Sequence, residues 1–182
     1  MAEKPDSERE VFCVLQAQSG STEALDQIFQ LLQEPLFRYL RSVVRDQSQA
    51  EDVLQEVFLR MYRKLKWLRE PRALRPWAYQ IATREAFRHL KKQKRLREEQ
   101  DESLEAAGQE LPDSGFPKEL IEELPTLISK LSAASRAVIA LYYVHELSLS
   151  ETAAVLEIPV GTVKSRLSYG LATLRREIQK QK

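Results

Sequence analysis

Residues 147–174 read LSLSETAAVLEIPVGTVKSRLSYGLATL, and their spacing predicts two short helices with a sharp break between them. Ser148 stands three residues ahead of Glu151, the arrangement of a capping box in which each side chain satisfies an amide at the helix start. Ala153, Ala154 and Leu156 offer a small, apolar surface for close helix packing. Glu157-Ile158-Pro159 closes the first helix, because Pro159 has no amide donor and holds the residue before it away from helical geometry. A second helix starts near Val160 and repeats Val163, Leu167, Leu171, Leu174 and Ile178 on one face. The other face carries Thr162, Lys164, Ser165, Arg166, Ser168 and Tyr169, all able to reach phosphates or base edges. This is the pattern of a helix-turn-helix whose second helix lies in a DNA major groove. A plain helical hairpin with a solvated polar face has the same spacing, so the rest of the chain decides between them.

The whole chain has 182 residues, 43% hydrophobic and 30% charged, with only 5 glycines. Without alternating β-branched runs, that composition predicts an all-α fold of one ordinary domain or two small ones. The net charge of +1 argues neither for nor against nucleic acid. The single cysteine, Cys13, excludes an intrachain disulfide and a cysteine-based zinc site, and its apolar surroundings make it a core residue. No apolar run has the length of a membrane helix and the N-terminus lacks an apolar signal core, so a cytoplasmic protein is expected. Two histidines (His89, His145), no metal-spaced ligand set and no glycine-rich phosphate loop leave no catalytic constellation, and no cofactor or metal is expected. His145 is read as a helix-end residue with a capping or surface role.

Upstream, Ser7 with Glu10 predicts a capped helix running to about Gln18, broken at Ser19-Gly20-Ser21. Residues 22–33 form an amphipathic helix, and Pro35 predicts a kink or restart before the apolar stripe resumes at Leu36, Phe37, Tyr39, Leu40, Val43 and Val44. Ser48 with Glu51 predicts a further capping box. The helix it opens buries Val53, Leu54, Val57, Phe58, Met61, Tyr62 and Leu65, and its outer face runs from acidic to basic, as the helix dipole favours. Residues 68–74 read as a loop, with Pro76 in the first turn of a helix from Trp77 to about Arg97. Its inner face is Ala78, Ile81, Ala82, Ala86 and Leu90. Arg84, Arg88, Lys91 and Arg95 make a one-sign stripe, widened by His89, Lys92, Lys94 and Arg97 and opposed only by Glu85. Such a stripe beside Trp77, Tyr79 and Phe87 points to nucleic acid.

Residues 98–123 reverse the sign and are interrupted by Gly108, Pro112, Gly115 and Pro117, the marks of a flexible acidic linker. The chain folds again near Leu120, with Leu124, Leu127, Ile128 and Leu131 at helical spacing around Pro125. Ser132 then caps a helix that buries Val138, Ile139, Leu141, Tyr142 and Tyr143. The expected fold is two small helical domains joined by the linker, at 1–97, 98–119 and 120–182, the second containing the helix-turn-helix.

At this point the chain resembles the extracytoplasmic-function sigma factors, two-domain initiation factors of bacterial RNA polymerase. Residues 50–60, AEDVLQEVFLR, are similar to the family's polymerase-binding signature. Residues 77–82, WAYQIA, are similar to the start of its −10 element helix, and residues 148–167 to its −35 helix-turn-helix. The resemblance implies that Glu51, Asp52, Gln55, Glu56, Phe58 and Arg60 bind polymerase, on the coiled coil of its largest subunit. It also implies that Trp77, Arg84, Arg88, His89, Lys91, Lys92 and Arg95 hold the melted −10 strand. Thr162, Lys164, Ser165, Arg166, Ser168 and Tyr169 read the −35 element, with the second domain docked near the flap of the other large subunit. An anti-sigma factor is a compatible further partner. Two departures stand out: Arg84 or Glu85 where the family often has asparagine, and Glu157 at the usual turn glycine. The rival reading is a stand-alone helix-turn-helix regulator of duplex operators, which has no use for the polar face of residues 48–65.

Overall fold

The computed structural model describes residues 5–98 and 131–179. Seven α-helices occur among them, and no strand: α1 (Pro5–Gln18), α2 (Thr22–Val44), α3 (Gln47–Lys64), α4 (Leu74–Glu98), α5 (Ala133–Ile139), α6 (Leu149–Leu156) and α7 (Val160–Gln179). A 3-10 turn, Pro71–Ala73, lies in the stretch expected to be a plain loop, and a second, Leu65–Trp67, follows α3 directly. The acidic stretch beyond Glu98 and the apolar positions Leu124, Leu127 and Ile128 lie outside the described residues.

Several helix starts differ from the local sequence reading. Ser7 lies within α1 rather than ahead of it. The cap of α3 is Asp46, whose Oδ1 accepts from the Gln49 amide at 2.8 Å, so Ser48 is already the second helical residue. Aspartate is as good an N-cap as serine and carries a charge that suits the positive helix end. Pro35 does not restart the helix: α2 is one continuous element from Thr22 to Val44. The carbonyl that Pro35 leaves without a donor is that of exposed Leu31, while fully buried Leu32 and Leu36 hold the helix on either side.

The first unit packs α1–α4 around Val14, Ile28, Leu32, Leu36, Leu40, Val57, Met61 and Ala82. Alanines at 78, 82 and 86 on the inner face of α4 are fully buried, as their spacing predicts. Phe58 stacks on Phe29 with ring centroids 4.7 Å apart. Tyr62, however, is 65% exposed and is no part of the core. It lies about 100° around the helix from buried Met61, one residue past the edge of the stripe.

The second unit has its own core of Leu131, Val138, Ile139, Ala153, Val163, Leu167 and Leu174. Gly170 lets α7 approach α5 closely: a Cβ there would sit 2.6 Å from the Ile139 Cδ1. Ser132 caps α5 by accepting from the Ser135 amide, as its position predicts. The helix then widens into a π turn over Ala140–Val144, so that the His145 amide reaches the Ala140 carbonyl. Tyr142 is half-buried and packs against this core, whereas Tyr143 is exposed and is not the core residue its spacing suggested.

The two units are in contact. Ala137, Ala140, Leu141 and Val155 join the core of the first unit, and α2 and α4 form the seam.

Candidate polymerase and nucleic-acid faces

On α3, Glu51, Asp52, Gln55 and Glu56 are all exposed. Helical periodicity extends the same face to Leu59 and Tyr62, which are 49% and 65% exposed. The two other residues expected here behave differently. Phe58 is half-buried against Phe29, and the Arg60 Nε lies 2.5 Å from the Glu85 Oε1 on α4. The α3 face therefore runs from acidic residues at its N-terminal end through two exposed apolar side chains to exposed Arg63 and Lys64. Periodicity alone assigned Tyr62 to the core and so missed it.

On α4, Arg84, Arg88, Lys91, Lys92 and Arg95 are exposed. Lys91, Lys92 and Arg95 have no carboxylate partner among the described residues. Arg88 is instead paired with Glu85, three residues earlier. Glu85 is a carboxylate only 6% exposed, flanked by Arg60 and Arg88. His89 is half-buried and linked to the Gln49 Oε1 of α3 at 3.1 Å. Trp77 is half-buried and packs against the core of the first unit. The open aromatic is Trp67, 72% exposed, in the turn after α3 with the Lys66 ammonium 5.0 Å from its ring centroid. Its single position in a short non-periodic stretch gave no sequence signal.

The helix-turn-helix has the expected internal design. The Ser148 hydroxyl and the Glu151 carboxylate form the reciprocal capping box, which holds the Glu151 carboxyl below its ordinary pKa. α6 ends at Glu157, with φ 56° and ψ 41°, and the Ile158 amide reaches back to the Ala153 carbonyl at 3.1 Å. This is a left-handed C-cap of the kind that favours glycine, and a glutamate there costs on the order of 1 kcal/mol. The stop is thus made by the left-handed turn at Glu157, ahead of Pro159. On α7, Val163, Leu167, Leu171 and Leu174 are buried. Lys164 and Ser165 are exposed, and Thr162, Arg166, Ser168 and Tyr169 are half-buried.

Glu157 also reaches across the seam. Its carboxylate accepts from the Arg84 guanidinium at 2.5 Å and 3.2 Å and from the Gln80 amide at 3.3 Å. Hydrogen bonding to Arg84 lowers the Glu157 pKa and raises that of Arg84. Nearby, the Tyr79 hydroxyl lies 2.7 Å from the His145 Nδ1, and the His145 ring also packs on Tyr39. His145 therefore faces inward, although it does stand at a helix end. Burial, then the charge of Arg38, pushes its pKa down to about 4.

The third link is Arg136 on α5, 6% exposed, which donates to the Val43 carbonyl at 2.6 Å and 3.2 Å and to the Leu131 carbonyl at 2.5 Å. Val43 lies in the last turn of α2, where carbonyls have no partner within the helix and the dipole is negative. Arg136 thus caps a helix of the other unit. No local pattern in the sequence could announce these links, whose partners stand 66 to 93 positions apart.

Comparison with known proteins agrees with these two units. Residues 28–96 match Sigma-70 region 2 and residues 127–176 match Sigma-70 region 4. ECF RNA polymerase sigma factor SigW of Bacillus subtilis (strain 168) is 29% identical over 91% of this chain and 95% of its own length. ECF RNA polymerase sigma factor SigL of Mycobacterium tuberculosis (strain CDC 1551 / Oshkosh) is 33% identical over 79% of this chain and 82% of its own. Among solved structures, CnrH in complex with the cytosolic domain of CnrY superposes with a TM-score of 0.70 at 22% identity, covering 95% of this chain and 99% of that one. The sigma factor RpoE in complex with the anti-sigma factor NepR from Bartonella quintana gives 0.68 at 21%, covering 85% and 96%. Those two likenesses concern the fold.

Proposed function

Because the chain belongs to the extracytoplasmic-function sigma factors, which bind RNA polymerase core and direct it to promoters through −10 and −35 elements, we propose that α3 is its polymerase-facing helix and that α4 and α7 are its two DNA readers. The observation that carries this is the outer face of α3. Glu51, Asp52, Gln55 and Glu56 on one side and Arg63 and Lys64 on the other flank exposed Leu59 and Tyr62, an apolar centre between polar ends as in a protein–protein interface. A stand-alone operator-binding regulator has no partner for that face.

On α4, Arg84, Lys91, Lys92 and Arg95 hold the backbone of the melted −10 strand, and Trp67 offers a base a stacking surface at the edge of the same unit. On α7, Lys164 and Ser165 lead into the major groove, and Thr162, Arg166, Ser168 and Tyr169 flank them. The chain brings no catalysis of its own and works in the cytoplasm beside its polymerase. An anti-sigma partner, where one exists, competes for the α3 face or the seam. The two units act as separate grips at 1–97 and 120–182, tethered by the acidic residues 98–119.

Reading both elements requires the seam to part. Element centres some 25 base pairs apart lie roughly 85 Å apart at about 3.4 Å per base pair, whereas α6 touches α4 through Glu157. The test is assembly with core polymerase followed by transcription from a cognate promoter. Asp52→Lys or Tyr62→Ala is expected to weaken assembly at least ten-fold. Arg84→Glu with Lys91→Glu is expected to spare assembly and impair promoter opening. No complex at micromolar concentration overturns the reading.

A further inference from the structure

Three arginines of the proposed faces are each occupied by a carboxylate of the same chain. Arg84 meets Glu157 at the seam, and Arg60 and Arg88 meet Glu85. The Glu157 pair is half exposed and lies between the units, so it ends when they separate. The Glu85 cluster lies inside the first unit and stays with α4 wherever the second unit goes. From this geometry we infer that Glu85 is a positioning residue that subtracts one positive charge from the −10 face of α4, by holding Arg88, while it fixes Arg60 against the base of the polymerase-facing helix. The inference rests on the assignment of α3 and α4 made above.

The reasoning starts from burial. A carboxylate 6% exposed on the inner side of a helix loses most of its hydration and is retained only with strong partners. The partners of Glu85 come from both functional helices, and each is only partly buried, with side chains 36% exposed at Arg60 and 53% at Arg88. Glu85 therefore holds the fixed end of both pairs, and the arginines the mobile ends. The three side chains line the wall of a cavity of about 450 Å³ between α3 and α4, whose other walls include Asp52, Glu56 and Lys92. Acidic groups of the polymerase face and cations of the DNA face thus share one solvent-filled cleft, with Glu85 at its wall. An apolar residue at 85 would pack there without desolvation cost. It would also leave two guanidiniums side by side and add a phosphate-seeking charge to α4.

That added charge is what the experiment reads. Each neutralised phosphate steepens the dependence of log affinity on log salt by about 0.7 for single-stranded and about 0.9 for duplex DNA. Holoenzyme is reconstituted from core polymerase and the full-length chain carrying Glu85→Gln, Arg88→Gln or both. Promoter binding and binding to unrelated DNA are followed from low to moderate salt. Glu85→Gln is expected to steepen the slope by about 0.7–0.9, and to tighten binding to unrelated DNA several-fold at low salt. Arg88→Gln is expected to leave the slope at its unsubstituted value, and the double variant to return there. Unchanged slope in Glu85→Gln, together with a shallower slope in Arg88→Gln, overturns the inference, because Arg88 then meets phosphate directly. Assembly separates this outcome from failure of the underlying assignment. If the unsubstituted chain forms no holoenzyme, α3 and α4 have been misassigned. If it does and the slopes disagree, only the role of Glu85 falls. A circular-dichroism melt of Glu85→Gln shows that the fold persists, and Glu85→Asp, which keeps the charge, is expected to keep the unsubstituted slope.

Discussion

The interior of the first unit is held mainly by apolar contacts, whereas the seam between the units adds a set of polar links to its apolar contacts. Within the first unit, α2 meets its neighbours mainly through Leu32, Leu36, Leu40, Val43, Val57 and Met61, and the buried Tyr39 hydroxyl is satisfied by Thr83 at 2.6 Å. Across the seam the specific links are polar: Arg136 to a helix end, Tyr79 to His145, and Arg84 and Gln80 to Glu157. Apolar burial contributes about 25 cal/mol per Å² and offers no substitute partner on separation. A hydrogen bond exchanged with water is worth only about 0.5–1.5 kcal/mol net. Ala137, Ala140, Leu141 and Val155 add apolar burial across the seam, so the polar links fix how the units meet and both kinds of contact must be given up when they part.

Three substitutions or conditions probe that contrast, each read as the separation between fluorophores placed on the two units. Arg136→Met should have the largest effect. It removes the donor to the Val43 carbonyl, which is left unpaired while the seam is closed, at a cost of about 1–3 kcal/mol, and should open the seam while the denaturation midpoint of the first unit, read in the full chain by a probe within α1–α4, stays put. A fall in that midpoint equal to the loss across the seam would mean that the units are one cooperative core.

Acidification should act next. The pKa of His145 is lowered in the closed form, so closing favours the neutral ring. The seam is then at full strength above the ordinary histidine value near 6.5 and weakens as pH falls from there toward about 4. His145→Asn should flatten that dependence. A separation independent of pH in the unsubstituted chain would remove His145 from the account.

Glu157→Gln should do least, since both partners of the pair are about half exposed, at 52% and 53%. Such an exposed pair contributes little and is screened by salt. A larger loss, insensitive to salt, would show that the left-handed turn at Glu157 depends on its partner.

Much of this design was legible in the sequence because it is periodic. The Ser148–Glu151 capping box, the buried face of α7 and the alanine face of α4 all follow from spacing within one helix. What was not legible is set by tertiary neighbours. Tyr62 and Tyr143 sit at the edges of apolar stripes, where a single helical step decides between core and solvent. Glu85 reads as a lone acid in a basic stripe until Arg60, 25 positions earlier, is brought beside it. Arg136 and His145 carry no local signal, because each is defined by a partner on another helix.

The cap that Arg136 places on α2 also bears on the order in which the chain is made. Val43 and Arg136 stand 93 positions apart, and a ribosome adding roughly 5–20 residues per second takes about 5–20 s to bridge that gap. For that interval the Val43 carbonyl has no Arg136 donor, although the Arg45 amide already reaches the Arg41 carbonyl. The −10 face of α4, complete near residue 98, emerges before Glu157 has been synthesised to cover Arg84. A newborn chain therefore passes through a period in which its first DNA grip is formed and unguarded, and the synthesis of the segment that carries Glu157, rather than folding of the first unit, sets when that period can close.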